Sequence, residues 1–303
     1  MERHIPVLLN EVIEALRLKP NANIVDCTLG DGGHSEAILE KTGPNGKVMG
    51  MDADAESLLR AKRYLYRYGD RVIYTRDNFV NLTKAIEENN FEQVDGVLMD
   101  LGWSMPQFSE RGRGFSFDKD EPLDMRFNIS TENNETTAAQ LIKQSSKTEL
   151  VQIFKKYGEE KFSREIAGAI VEARKKFPIE RTGQLNEIIL DVYRTILKTE
   201  KEVPWVGGLH PATKVYQALR IAVNQELEML KKSLPQAVEI LAAKGRLAVI
   251  TFHSLEDRIV KQYFQTLGPE YNLIVKKPII AGEEELKNNP RARSAKLRIV
   301  EKR

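Results

Sequence analysis

The chain has 303 residues, 46 of them Lys or Arg and 44 Asp or Glu, for a formal charge of +2. That balance excludes a histone-like polyelectrolyte, so any contact with nucleic acid must come from local clustering of charge. With 41% apolar and 30% charged residues, the composition excludes a disordered chain and a membrane protein. The length suits one large domain or two ordinary ones, at roughly 100–200 residues each.

The N-terminal stretch MERHIPVLLNEVIEAL is amphipathic and carries acids, unlike a signal peptide. No run approaches the roughly 18 apolar residues of a spanning helix. A single cysteine can form neither an internal disulfide nor a cysteine zinc site. These features predict a soluble, cytoplasmic protein.

Residues 23–29, 47–52, 71–75 and 94–100 are short apolar runs with strand character. Between them, 35–41, 55–68 and 81–89 have helical spacing; in the second, Leu58, Ala61, Leu65 and Tyr68 share a face. Strands alternating with helices predict an α/β fold with a parallel sheet covered on both sides. The next strong strand, 246–252, follows about 145 residues later, where a strand–helix–strand unit needs about 30. One crossover helix is visible at 215–234, with Leu219, Ala222, Val223, Leu227 and Leu230 on a stripe. The excess predicts an insert at 103–212 within a discontinuous main domain, 1–102 and 213–303.

The insert reads as helical. Phe162, Ile166, Ile170 and Ala173 recur at helical spacing, as do Leu185, Ile188, Ile189, Val192 and Ile196, with Thr182 as a cap for the latter helix. After the fifth strand come a helix at 255–267 and two β-like runs, 271–280 and 296–302. The runs are joined by a loop, AGEEELKNNPRARS, and suit an antiparallel pair at a sheet edge.

Residues 25–34, VDCTLGDGGH, leave the first strand, pass Gly30, Gly32 and Gly33, and enter a helix. Glycines permit positive φ and close backbone approach to a ligand, and the helix start offers free N–H groups. Asp52 lies 22 residues after Gly30, at the end of the second strand, where a carboxylate can accept both ribose hydroxyls of an adenosine cofactor. Three readings compete: a ligand-free turn, a dinucleotide site and an S-adenosylmethionine site. G-D-G-G-H fits the dinucleotide pattern G-x-G-x-x-G poorly. Asp26 would repel a phosphate but suit a sulfonium or amino group. Polar residues also end strands three and four, Asp77-Asn78-Phe79 and Asp100-Leu101-Gly102, where ligands sit in open α/β sheets. Phe79 either flanks an adenine or belongs to the core; Asp100 is either a helix cap or a site residue.

Seven blocks carry a more specific signal: HIPVLLNEVIEAL (4–16), DCTLGDGGHS (26–35), DLGWSMPQF with RGFSF (100–117), PLDMRF (122–127), HPATKVYQALRIAVNQEL (210–227), ITFHSLEDRIVK (250–261) and NPRARSAKLR (289–298). In this order they resemble the bacterial 16S rRNA cytosine-N4 methyltransferases of the MraW type. The resemblance implies a class I S-adenosylmethionine-dependent methyltransferase fold, Rossmann-like, with a mostly parallel seven-stranded sheet and an inserted helical domain that recognises substrate. It implies cofactor contacts at Gly32, Gly33, His34, Asp52, Phe79, Asp100 and Gln107. The family reads DLGVSSPQ where this chain has DLGWSMPQ, so Trp103 and Met105 are bulkier here. The reaction implied is methylation of the exocyclic N4 of a cytidine in the decoding region of 16S rRNA. The partners implied are that RNA or the small ribosomal subunit, and a homodimer is compatible with it.

The residues themselves bear on this chemistry. A C5-methylating enzyme needs a cysteine nucleophile, and Cys27 falls in a strand expected to be buried, where a thiol is usually inert. Attack by an exocyclic amine needs only in-line approach to the methyl group and an acceptor for a proton; no general base is assigned. His253 either orients substrate or caps the following helix with Ser254, Glu256 and Asp257. His4 and His210 give no metal pattern. Residues 286–303 carry seven cations against the single acid Glu301, a net +6. Arg291, Arg293, Lys296 and Arg298 there are candidate RNA contacts, with a charge-protected edge strand as the alternative. The competing functions are methylation of a small molecule or protein, and RNA binding by a vestigial cofactor fold.

Overall fold

The computed structural model describes residues 5–101, 112–127, 136–199, 203 and 208–303. The chain divides into two compact units, 1–104 with 227–303, and 105–226.

The first unit is built on seven strands: β1 (Ile24–Asp26), β2 (Val48–Met51), β3 (Val72–Thr75), β4 (Val94–Asp100), β5 (Leu241–Thr251), β6 (Tyr271–Leu273) and β7 (Lys296–Lys302). Their order is β3-β2-β1-β4-β5-β7-β6. The first five run parallel, and β7 pairs antiparallel with both β5 and β6. The reversed strand therefore lies one place inside the edge. Order reverses between β1 and β4, which opens a crevice at their carboxyl ends.

Both sheet faces are covered. Ile24 and Leu98 point to one side, among residues of α1 (Leu9–Leu16), α2 (Gly33–Lys41) and α3 (Ala55–Tyr64). Val25, Val97 and Met99 point to the other, among α4 (Leu82–Glu88), α10 (Glu226–Glu239) and α11 (Ser254–Thr266). Burial on both faces explains why these strands are continuous apolar runs without alternation.

The described part of the second unit contains five helices: α5 (Ala138–Gln144), α6 (Lys147–Gly158), α7 (Ser163–Ala173), α8 (Thr182–Leu197) and α9 (Thr213–Asn224). Leu150, Phe154, Ile166, Ile170, Leu185, Ile189, Val215 and Leu219 are buried there. Thr182 does not cap α8. It sits inside the first turn, donating its hydroxyl to Lys119 O at 2.7 Å and accepting from Glu121 N at 2.9 Å.

The stretch 215–234 is not one helix. Gln225 takes a left-handed conformation (φ 51) and separates α9 from α10. The unit boundary accordingly falls at 226/227, where the sequence placed it at 212/213, because α9 packs with α6 inside the second unit. The stretch 281–294 is more ordered than a loop: it holds α12 (Glu283–Asn288) and a short 3-10 turn (Pro290–Ser294).

Candidate active site

The glycine loop is fastened to three strands by its own backbone and side chains. Cys27 N donates to Leu98 O at 2.9 Å on β4, and Leu29 N to Met51 O at 2.9 Å on β2. Thr28 Oγ1 accepts the Asp100 N–H at 2.7 Å. Asp26, 1% exposed, accepts from Ser35 Oγ at 2.7 Å and from Thr28 N at 3.1 Å. Burial raises its pKa against those hydrogen bonds. This carboxylate thus braces the loop from within and does not face a ligand, contrary to the charge argument made from sequence.

Asp52 closes the loop from β2. Its Oδ2 accepts from Gly30 N at 2.8 Å and its Oδ1 from Asp54 N at 2.8 Å. Burial nevertheless pushes its pKa up to about 6, so the carboxylate is under-solvated and gains from further donors. Gly30 has φ +52, and among the described residues a Cβ added there would meet nothing nearer than Thr28 O at 3.9 Å. Among the described residues, main chain at this point is uncovered beside the carboxylate. The pair fits an adenosine cofactor: the acid can accept ribose hydroxyls, and the bare backbone permits close approach.

Gly32 precedes α2 in a left-handed conformation (φ 78) and Gly33 begins the helix. A Cβ on Gly33 would lie 2.4 Å from Pro6 Cγ, so the N-terminal segment rests directly on the loop. His34, buried, places Nε2 3.0 Å from Val7 O. Its Nδ1 lies 3.7 Å from Asp100 Oδ2. Burial lowers the imidazole pKa to about 4, so the ring is neutral near pH 7. Its proton sits on Nε2, toward the Val7 carbonyl.

Phe79 is 6% exposed and belongs to the core beneath the sheet, at a 3-10 turn capped by Asn78. Gln107 lies outside the described residues. The structure therefore brings Gly32, Gly33, His34, Asp52 and Asp100 together at the carboxyl ends of β1, β2 and β4, with Phe79 packed into the core.

The C-terminal cations divide. Arg291 and Arg293 are exposed, and Lys296 is partly exposed, 3.5 Å from Asp257 Oδ2. Arg298 is 5% exposed and grips Asp257 with two bonds, Nε to Oδ1 at 2.7 Å and NH2 to Oδ2 at 3.2 Å. Its guanidinium is committed inside the protein, which removes it from the candidate RNA contacts. His253 caps α11: its Nδ1 accepts from Glu256 N at 3.3 Å, and Glu256 Oε2 accepts from His253 N at 3.2 Å.

Sequence reasoning missed the N-terminal brace. Leu8 N donates to Glu285 Oε1 at 2.7 Å and Asn289 Nδ2 to Ile5 O at 3.3 Å. The block HIPVLLNEV was visible, but nothing in its pattern says which distant residues it joins.

The model of the MraW methylase family matches residues 1–303. The chain belongs to this family. Ribosomal RNA small subunit methyltransferase H of Clostridium botulinum (strain Loch Maree / Type A3) is 45% identical, covering 99% of each chain. The enzyme of that name from Heliobacterium modesticaldum (strain ATCC 51547 / Ice1) is 44% identical over 99% of this chain and 98% of its own. Among solved structures, an rRNA methylase from Streptococcus thermophilus is similar with a TM-score of 0.45 at 11% identity, covering 99% of each chain. As in any MraW methylase, the relevant chemistry is methyl transfer, and the carboxyl-end crevice is where this chain gathers its loop glycines and acids.

Proposed function

We propose that this chain transfers a methyl group from S-adenosylmethionine to the exocyclic N4 of a cytidine in the decoding region of 16S rRNA. The observation that carries the cofactor reading is Asp52, a half-buried carboxylate that closes the glycine loop on Gly30 with capacity left for ribose hydroxyls. Gly32, Gly33, His34 and Asp100 complete that site, and Gln107 joins them by the family pattern. When bound, the cofactor supplies an electrophilic methyl group. The protein's part is to hold it, exclude water and present acceptors to the incoming amine.

Membership of the family and the names of the relatives support ribosomal RNA of the small subunit as substrate. The choice of N4 over C5 is supported by Cys27. Burial, and then the neighbouring Asp26, hold its thiol well above the usual range, and a protonated buried thiol is a poor nucleophile. Arg291, Arg293 and Lys296 offer charge to RNA phosphates, and the helical unit 105–226 grips the surrounding RNA.

The deciding experiment is nucleoside mapping of 16S rRNA by mass spectrometry, in cells with and without the gene. Loss of N4-methylcytidine at one position is the expected result. An unchanged map favours a different substrate.

A further inference from the structure

Beyond the carboxyl end of β5 lies a cavity of about 280 Å³ that takes no part in closing the glycine loop. Phe252, Ile280 and Leu286 give it an apolar floor; Ser254, Arg293 and Lys296 give it a polar rim. Ile280 is 64% exposed and Leu286 36%. Two large apolar side chains are thus exposed beside two cations. Exposed apolar surface rimmed by charge marks a binding site more often than chance exposure does. The volume falls just below the ~300–1,000 Å³ usual for sites that enclose a drug-sized ligand, which suits part of a nucleotide.

The charges around the cavity favour an anion. Arg293 makes no ion pair among the described residues. Asp257 is taken by Arg298 and Lys296. Glu285 accepts from Leu8 N, and Glu283 and Glu284 do not line the cavity. The imidazole of His253 serves the cap of α11.

Its position ties it to the methyl-transfer site. Asp100 pairs with Ile250 across β4 and β5, and Thr251 with Lys296 across β5 and β7. At ~4.8 Å per strand, the cavity rim lies on the order of 10 Å along the sheet edge from Asp100. Both are braced by the same segment: Pro6 abuts Gly33, while Leu8 and Ile5 hold α12 and Asn289 on the cavity side.

We infer that this cavity receives one unpaired nucleotide of the RNA, a neighbour of the methylated base. Its heterocycle lies against Phe252, Ile280 and Leu286, and its phosphate against Arg293 and Lys296. The inference rests on the proposal above that the substrate is RNA. An apolar floor accepts any base by its face, while the cations track the backbone. An acidic peptide would use the cations and leave the apolar floor without a role.

The test uses the full chain, saturated with S-adenosylhomocysteine, and a fluorescent single-stranded RNA carrying the decoding-region cytidine. Affinity is measured across a salt series. The double variant Ile280→Ser with Leu286→Ser should lose about tenfold in affinity at every salt concentration, because the apolar contact it removes is not screened by salt. Arg293→Ala should flatten the salt slope by about 0.7, the value for one phosphate contact on a single strand. Making one flanking nucleotide abasic should weaken the wild type but cost the double variant nothing further. Both variants should keep the wild-type thermal shift with S-adenosylmethionine, which confirms that they fold.

Wild-type affinity in the double variant would overturn the cavity, as would losses that add at every abasic position, even while the wild type binds and methylates RNA. If the wild type shows no salt-dependent RNA affinity but binds polyglutamate, the RNA reading itself fails, and the cavity proposal falls with it.

Discussion

The imidazole of His34 and the carboxylate of Asp100 face each other with Nδ1 3.7 Å from Oδ2. Because Nε2 is held toward the Val7 carbonyl, both facing atoms present lone pairs. Two acceptors this close favour an N–H donor between or beside them, such as an amine. Removing one charge-assisted hydrogen bond costs about 1.5–3 kcal/mol. Asp100→Ala should therefore lower kcat/KM for rRNA methylation by about 10- to 100-fold, measured by methyl incorporation alongside cofactor affinity. Normal binding and normal turnover in this variant would remove Asp100 from the site.

Asp52 predicts a pH dependence of cofactor binding. Its pKa in the free protein is pushed from 3.8 up to about 6 by burial, so folding favours its protonated form, and the carboxylate costs stability increasingly as pH rises through that window and by a constant amount above it. A ligand that donates ribose hydroxyls binds the ionised form. Cofactor affinity should fall as pH drops below about 6 and level off above about 7, by calorimetric titration. His34 does not interfere, since its pKa is near 4. Asp52→Asn should abolish the dependence and weaken binding, because its amide cannot accept at both oxygens.

The contact between Gly33 and Pro6 predicts a steric effect. Gly33→Ala places a methyl 2.4 Å from the Pro6 ring and should destabilise the fold by ~1–3 kcal/mol, the range for overpacking. Adding Pro6→Gly should restore most of the loss in thermal unfolding. Without that restoration, the N-terminal segment does not rest on the loop.

Arg298 should behave as a structural residue. Burial raises the Asp257 carboxyl, but the Arg298 hydrogen bond and charge, with Lys296, outweigh it and hold the group below its usual range. Arg298→Ala leaves that acid partly unpaired and should cost up to the ~3–5 kcal/mol of a broken buried pair, less whatever Lys296 recovers. The salt slope of RNA binding should not change. A flatter slope would return Arg298 to the RNA contacts.

Cys27 should be dispensable for chemistry. Its thiol is buried and held protonated, so Cys27→Ala should retain methyl transfer and resist alkylating reagents. Loss of turnover with a normal cofactor thermal shift would point to covalent chemistry at C5.

Strands β1, β2 and β4 were legible because each is a short, largely buried apolar run that stops at or just before an aspartate. Breaks within periodic segments were not. Gln225 is a good helix former, and its left-handed conformation (φ 51) leaves no mark on the stripe from Leu219 to Leu230. Strand β5 begins at Leu241, five residues before the apolar run at 246. Lys244-Gly245 reads as a turn, yet pairing with β4 carries the strand through with a register shift between Val94 and Gly96. The helix α12 is six residues long, too short for periodicity to reveal.

Local pattern determined the alternation of strands and helices, the glycine loop with Asp52 beyond it, and the family to which the chain belongs. These depend on residues close in sequence or on ordered motifs. Only the tertiary structure decided what each charge does. Arg293 and Arg298 are five residues apart in one basic stretch; one is exposed at a cavity rim, the other is buried against Asp257. Asp26 and Asp52 are both acids at strand ends, yet one braces the loop from inside and the other stands beside main chain that is uncovered among the described residues. Burial and partnership set the worth of a charge, and both come from segments far apart along the chain.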